Sequence, residues 1–184
     1  MQKLSLGWNT FSNRLEELRP RLYRMACSWC NNASLADDLV QETILKALEK
    51  RHQLKDMKCF NAWVFRILNN SWLDFLRRRK PETDIDEQTI PCKDCPEKSY
   101  EQNLTTLSVR QAVNNLPVGQ RSVLTLVDLE GFTYKEVSDV LEIPIGTVMS
   151  RLSRARKSLE ASLSTMYSQS RTYSQGSANL RSVK

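Results

Sequence analysis

The chain has 184 residues, enough for one ordinary domain or two small ones. Its net charge of +6 and pI near 9.2 suit a polyanionic partner. No apolar run is long enough to cross a bilayer and the N-terminus lacks a signal-peptide core, so a cytoplasmic protein with mostly reduced cysteines is expected, with no membrane insertion.

Residues 1–10 read as a frayed leader. Helical periodicity begins at Phe11 and continues through Leu15, Leu18, Leu22, Met25 and Ala26 towards Cys30. Asn31-Asn32 signals a turn, and Ser34 followed by Asp37 resembles a capping box. Leu35, Leu39, Ile44, Leu45 and Leu48 mark a second helix to about Lys50, with Asp38, Gln41 and Glu42 on its outer face. A loop from His52 to Lys58 precedes a third helix, from about Cys59 to Arg79. Its apolar stripe is Phe60, Val64, Ile67, Leu68, Phe75 and Leu76. The opposite stripe holds Trp63, Arg66, Asn70, Leu73, Arg77 and Lys80. Rings and guanidinium groups on one face fit single-stranded DNA, whose bases stack and whose phosphates attract arginine. The plainer alternatives are core tryptophans at Trp63 and Trp72, and a run Arg77-Arg78-Arg79-Lys80 that the helix dipole favours anyway.

Residues 81–103 carry seven acids against two lysines, net −5, which leaves +11 on the rest of the +6 chain. With three prolines, Pro81, Pro91 and Pro96, and few large apolar groups, this stretch reads as a flexible acidic linker. Helical pattern resumes at Leu104, Leu107, Val109, Val113 and Leu116, and Leu116-Pro117 ends that helix. Gln120 to Leu129 reads as the next.

Phe132 to Arg156 then reads as two helices on a tight turn. Thr133 with Glu136 forms a capping box, and Val137, Val140 and Leu141 give the first helix one apolar face. Pro144 suits the start of the second helix, where its missing N–H goes unused. That helix carries Val148, Leu152, Ala155 and Leu159 on one side. Thr147, Ser150, Arg151, Arg154 and Ser158 lie on the other, as in a helix-turn-helix whose second helix enters the DNA major groove. Arginine can bond guanine or phosphate with two donors at once. Residues 164–184 read as a disordered basic tail. The predicted fold is all-α: two small helical domains, 11–80 and 104–163, joined by the linker 81–103.

Cys27 and Cys30, and Cys92 and Cys95, form two C-x-x-C pairs. They admit a four-cysteine zinc site or a redox dithiol. Against both, cysteine in a helix also behaves as a small buried hydrophobe. No metal and no cofactor is expected.

The stretch DLEGFTYKEVSDVLEIPIGTVMSRLSRARKSL resembles region 4 of sigma-70 family factors, especially the extracytoplasmic-function (ECF) group. LYRMA, then DDLVQETILKAL, then FNAWVFRILNNSWLDFLRRR resembles region 2 of the same group. The resemblance implies an alternative sigma factor, not an enzyme, that binds core RNA polymerase and promoter DNA. On it, Asp38, Leu39, Gln41 and Glu42 match the patch that docks on the β′ clamp helices, and region 4 meets the β flap. Asn70 and the loop from Leu54 to Asn61 match the part that opens and reads the −10 element, with a flipped base in a protein pocket. Trp63 belongs to the same face. Arg66, Arg77 and Arg78 would hold phosphates, which position the strand without specifying sequence. Thr147, Ser150, Arg151 and Arg154 match the −35 reader. An anti-sigma factor is implied as a partner, and a bacterial cytoplasm as the location. Three positions depart from the pattern: Met149 where lysine or arginine is common, Asn69 where arginine is common, and Glu142 where the turn usually has glycine, so that turn is expected to be right-handed or slightly strained.

Two other classes compete. A stand-alone helix-turn-helix regulator would leave the region 2-like blocks without a purpose. A thiol oxidoreductase has little support, because the single histidine, His52, lies in a charged loop and no β-α-β pattern is present.

Overall fold

The structure, a computed structural model, describes the backbone of residues 2–79 and 104–178 and the side chains of 10–79 and 109–164. The expected linker, with Cys92 and Cys95, lies outside the described residues, as do 179–184. Every regular element among the described residues is helical.

Helix α1 (Gln2–Cys30) buries Phe11, Leu15, Leu18, Leu22, Met25, Ala26 and Trp29, a stripe of one face repeating every three to four residues. Its backbone is helical from Gln2, so the leader read as frayed continues the helix. Extension from a formed helix costs far less than nucleation. Pro20 sits inside α1 on the exposed side, where water can meet the carbonyl its ring leaves unbonded. The helix stops at Asn31, whose φ of +52° is left-handed, and Asn31 N–H closes on the Cys27 carbonyl at 2.9 Å. Asn32 is then extended, and its side chain accepts from Leu35 N–H at 2.9 Å. Asn32, not Ser34, therefore caps α2 (Ala33–Glu49). Asparagine tolerates both conformations, and the pair turns the chain within two residues.

Short 3₁₀ turns at Arg51–Gln53 and Met57–Cys59 fill the next loop, and Asp56 caps the second by accepting from Lys58 N–H at 2.8 Å. Helix α3 (Phe60–Arg79) completes a three-helix unit. Leu22, Ala36, Val40, Phe60, Val64, Leu68 and Trp72 form its core, and Phe11 meets Phe60 edge to face at 5.3 Å. Lys46 Nζ ties α2 to α3 through Ser71 Oγ at 3.0 Å.

The second half holds α4 (Leu104–Asn114), α5 (Val118–Leu124), α6 (Tyr134–Leu141) and α7 (Ile145–Ala178). The helix expected over 120–129 begins earlier, at Val118, and changes character at Thr125. Residues Thr125–Leu129 form a π-helical turn, closed by Glu130 N–H on the Thr125 carbonyl at 3.1 Å. Thr125 Oγ1 bonds back to the Arg121 and Ser122 carbonyls, at 2.9 and 3.2 Å, an arrangement that loosens a helix. Gly131, with φ of +73°, then lets the chain reverse into Phe132.

Thr133 caps α6 as its sequence indicates: Glu136 N–H reaches Thr133 Oγ1 at 3.3 Å, and Thr133 N–H reaches Glu136 Oε2 at 2.9 Å. Helix α7 runs to Ala178, so the tail read as disordered from 164 is helical to that point. It holds no proline, its one glycine after the start is Gly176, and it grows from a helix already nucleated.

The two halves dock. Helix α1 packs against α4 and α5, and α3 packs against α6.

Candidate polymerase and nucleic-acid interfaces

The outer face of α2 brings Asp38 and Gln41 into solvent, with Glu42 half-buried beside them. Glu42 Oε1 meets Lys46 Nζ at 2.6 Å, one helical turn on. Leu39, from the same sequence block, is only 2% exposed and packs in the core beneath that face. Leu45, read from periodicity as a packing residue, is instead 61% exposed. It falls three and four positions after Glu42 and Gln41, so the face is an acid–amide patch with one aliphatic side chain. That spacing was the available signal.

On α3 the expected stripe separates by depth. Trp63 is half-buried and packs against Phe11 at 6.3 Å, Trp72 is buried and stacks on Phe75 at 5.7 Å, and Asn69 is buried. Asn70, Arg66, Arg77 and Arg78 are exposed. Arg77 leans on Asp74 at 3.1 Å, and Arg79 lies 5.9 Å over the Phe75 ring. Asn70 thus stands one residue from a rigidly packed amide, on a helix held on both sides. The loop before it is tied down by Arg14, which donates to the Met57 carbonyl at 3.2 Å.

In the helix-turn-helix, Val137 and Val140 of α6 pack on Val148, Leu152 and Ala155 of α7. The turn between them contains Glu142, with φ of +56°: the strained, left-handed alternative. Its N–H bonds the Ser138 carbonyl, and Ser138 Oγ donates to the Ile143 carbonyl at 2.6 Å. Pro144 stands just before the helix, and its carbonyl accepts from Thr147 and Val148 N–H at 2.8 and 3.1 Å. Opposite the packed stripe, Thr147, Ser150 and Arg151 are half-buried and Arg154 is exposed. Ser150 Oγ donates to the Thr147 carbonyl at 3.1 Å. Arg156 faces elsewhere: its guanidinium is bidentate on Asp128, at 2.6 and 3.2 Å, and the hydrogen-bonded Asp128 carboxylate raises its pKa above the usual arginine value. A third stripe of α7, with Met149 53% exposed, borders a hollow of about 350 Å³ shared with Tyr134, Leu152 and Lys157.

The first cysteine pair sits at the end of α1, with Cys27 half-buried and Cys30 buried, its Sγ 3.2 Å from the Asn32 carbonyl. Among the described residues no group of three or more His, Cys, Asp or Glu side chains is placed to hold a metal ion. No helix there is long and apolar enough to cross a membrane.

A three-helix unit that ends in an arginine-bearing helix, followed by a capped helix-turn-helix, defines a two-part DNA-binding protein. Residues 15–82 match the Sigma-70 region 2 family and residues 106–159 match Sigma-70, region 4. The chain is 34% identical over 144 residues to the ECF RNA polymerase sigma factor EcfG of Rhodopseudomonas palustris, across 78% of this chain and 80% of that protein. A solved structure of the sigma factor RpoE with the anti-sigma factor NepR, from Bartonella quintana, is similar at a TM-score of 0.73 and 29% identity, over 84% of this chain and 97% of that one. A structure of CnrH with the cytosolic domain of CnrY follows at 0.64 and 25%, over 86% of this chain and 90% of that one. The chain belongs to the sigma-70 family, in its ECF group: it is an alternative sigma factor, which binds core RNA polymerase and directs promoter-specific initiation of transcription.

Proposed function

We propose that this sigma factor meets the β′ clamp helices through Asp38, Gln41 and Glu42, with Leu45 as the apolar contact at the centre of the patch. Acid against a basic coiled coil supplies steering and register, and a desolvated leucine adds contact area. Asn70 reads an unstacked base of the −10 element, Trp63 borders the loop that admits it, and Arg66, Arg77 and Arg78 hold phosphates. Thr147, Ser150, Arg151 and Arg154 read the −35 element in the major groove. Core polymerase works in the bacterial cytoplasm, and a cytoplasmic location for this chain is part of the same reading. The hollow of Tyr134 and Met149 suits an apolar side chain of the β flap or of an anti-sigma factor; the latter partner is supported by the anti-sigma factor NepR in the similar Bartonella quintana structure. The observation that carries the reading is the exposure of Asn70 on a helix whose neighbours Asn69 and Trp72 are buried: a polar reader on a rigid base.

The test is binding to core polymerase, followed by run-off transcription from a promoter selected with the holoenzyme. Charge reversal at Asp38 and Glu42 is expected to weaken core binding about tenfold or more. Unchanged binding would remove the α2 patch from the interface. Tight, specific duplex binding without polymerase would favour the stand-alone regulator instead.

A further inference from the structure

The −35 reader carries apolar side chains beside its hydroxyls. Residues four apart on a helix stand one above the other, so the outer side of α7 presents two rows. Gly146, Ser150 and Arg154 form one. Ile145, Met149 and Ser153 form the next, one residue over. Ile145 is 49% exposed and Met149 is 53% exposed. The core needs neither, because Val148, Leu152 and Ala155 pack on the other side. Two aliphatic side chains are therefore open to water on the first two turns, beside Thr147, Ser150 and Arg151.

Gly146 stands next to this row and is bare. Nothing lies within 4 Å of the place its Cβ would take, so the fold does not require glycine there. A bare first turn suits a close approach of the helix to another surface. Methionine has no donor, so Met149 cannot bond a phosphate or a guanine. Most groups on the base edges of the major groove are donors or acceptors; the apolar one is the thymine 5-methyl. A helix rises about 1.5 Å per residue, which sets Ile145 and Met149 about 6 Å apart along the axis, and bases stack about 3.4 Å apart. The two side chains thus span about two base-pair steps.

We propose that Met149, with Ile145 beside it, selects thymine in the −35 element by packing on its 5-methyl group; the inference rests on the −35 reading of this helix. Methionine suits the task, because an unbranched side chain with three rotatable bonds moulds to a small apolar target. The same freedom lets it edge the hollow beside Tyr134 with one flank and meet the groove with the other. Ser150 and Arg154, one row over, supply polar contacts. The methyl contact adds base choice to an interface that phosphate contacts position.

Uracil is thymine without that methyl. The probe is a promoter duplex selected with the wild-type holoenzyme. Each thymine of its −35 element, on either strand, is replaced in turn by uracil, and holoenzyme affinity is measured. At one thymine, or at two no more than about two steps apart, uracil should weaken binding about fourfold, the worth of one buried methyl. In Met149→Ala the difference between thymine and uracil should vanish at one of these positions, and in Met149→Leu it should persist. Ile145→Ala should remove the second difference where there is one. Both residues are exposed and alanine favours a helix, so circular dichroism of the variants should match wild type. A selected −35 element without thymine, or one at which uracil never matters, overturns the proposal. So does a uracil effect equally large in Met149→Ala, which leaves that side chain to the hollow and a protein partner. Scrambling the whole −35 element separates the two readings. Affinity that falls on scrambling but ignores uracil removes the methyl contact alone. Affinity that ignores scrambling removes the −35 reading and the methyl contact with it.

Discussion

The seam between the halves mixes far more polar contact into its apolar packing than the seam inside the first half does. Leu22, Met25, Phe60, Val64 and Leu68 meet as aliphatic and aromatic surface with no polar atom to satisfy. Between the halves, buried apolar residues of both sides continue in one cluster, and polar contacts join them: an arginine on carbonyls, an indole on a hydroxyl, two ion pairs and an aromatic pair. Apolar burial is lost outright when water enters, whereas a hydrogen bond is exchanged for another of nearly equal worth. The first seam keeps a domain folded; the polar share of the second sets how the two parts stand against each other.

That contrast can be broken at graded cost. Leu22→Ala removes a fully buried side chain from the apolar seam and should destabilise the first half by about 2–5 kcal/mol, read as a lower urea midpoint. Thr125→Val keeps shape but leaves the buried Trp29 N–H without its acceptor; a loss of about 1–3 kcal/mol should fall on docking, visible as expansion in scattering with helicity unchanged. A helicity loss as large as that of Leu22→Ala would show that the two seams are one. Glu142→Gly relieves a left-handed residue worth about 1–2 kcal/mol and gives up an ion pair between exposed groups worth at most about 1 kcal/mol. Thermal stability should hold or rise slightly while the halves separate more readily, and a clear fall in the melting temperature would contradict the strain assigned to that turn.

The helix-turn-helix was legible because its signals are local. Thr133 and Glu136 lie three apart, and Val148, Leu152 and Ala155 fix the buried side of α7. Helix α2 was legible in extent and partly wrong in phase. Leu39 and Leu45 are six apart, which sets them about 120° from each other around the helix, and only Leu39 faces the core. The cap at Asn32 was hidden by the stronger-looking Ser34 and Asp37 pattern. Docking was not legible at all: Arg21 and Glu130 are 109 positions apart, and Arg121 and Trp29 are 92. In the sequence each resembles an ordinary solvated residue, because a polar pair formed across the fold leaves no periodic trace.

The π turn at Thr125–Leu129 has a further consequence. It holds one residue more than an α-helical course would use, and that surplus turns everything after it by about 100° around the axis. Glu130 and Phe132 face the first half because of that rotation. A single-residue deletion there would preserve both side chains and still aim them away, so the mutual angle of the two halves is encoded in chain length as much as in side-chain identity.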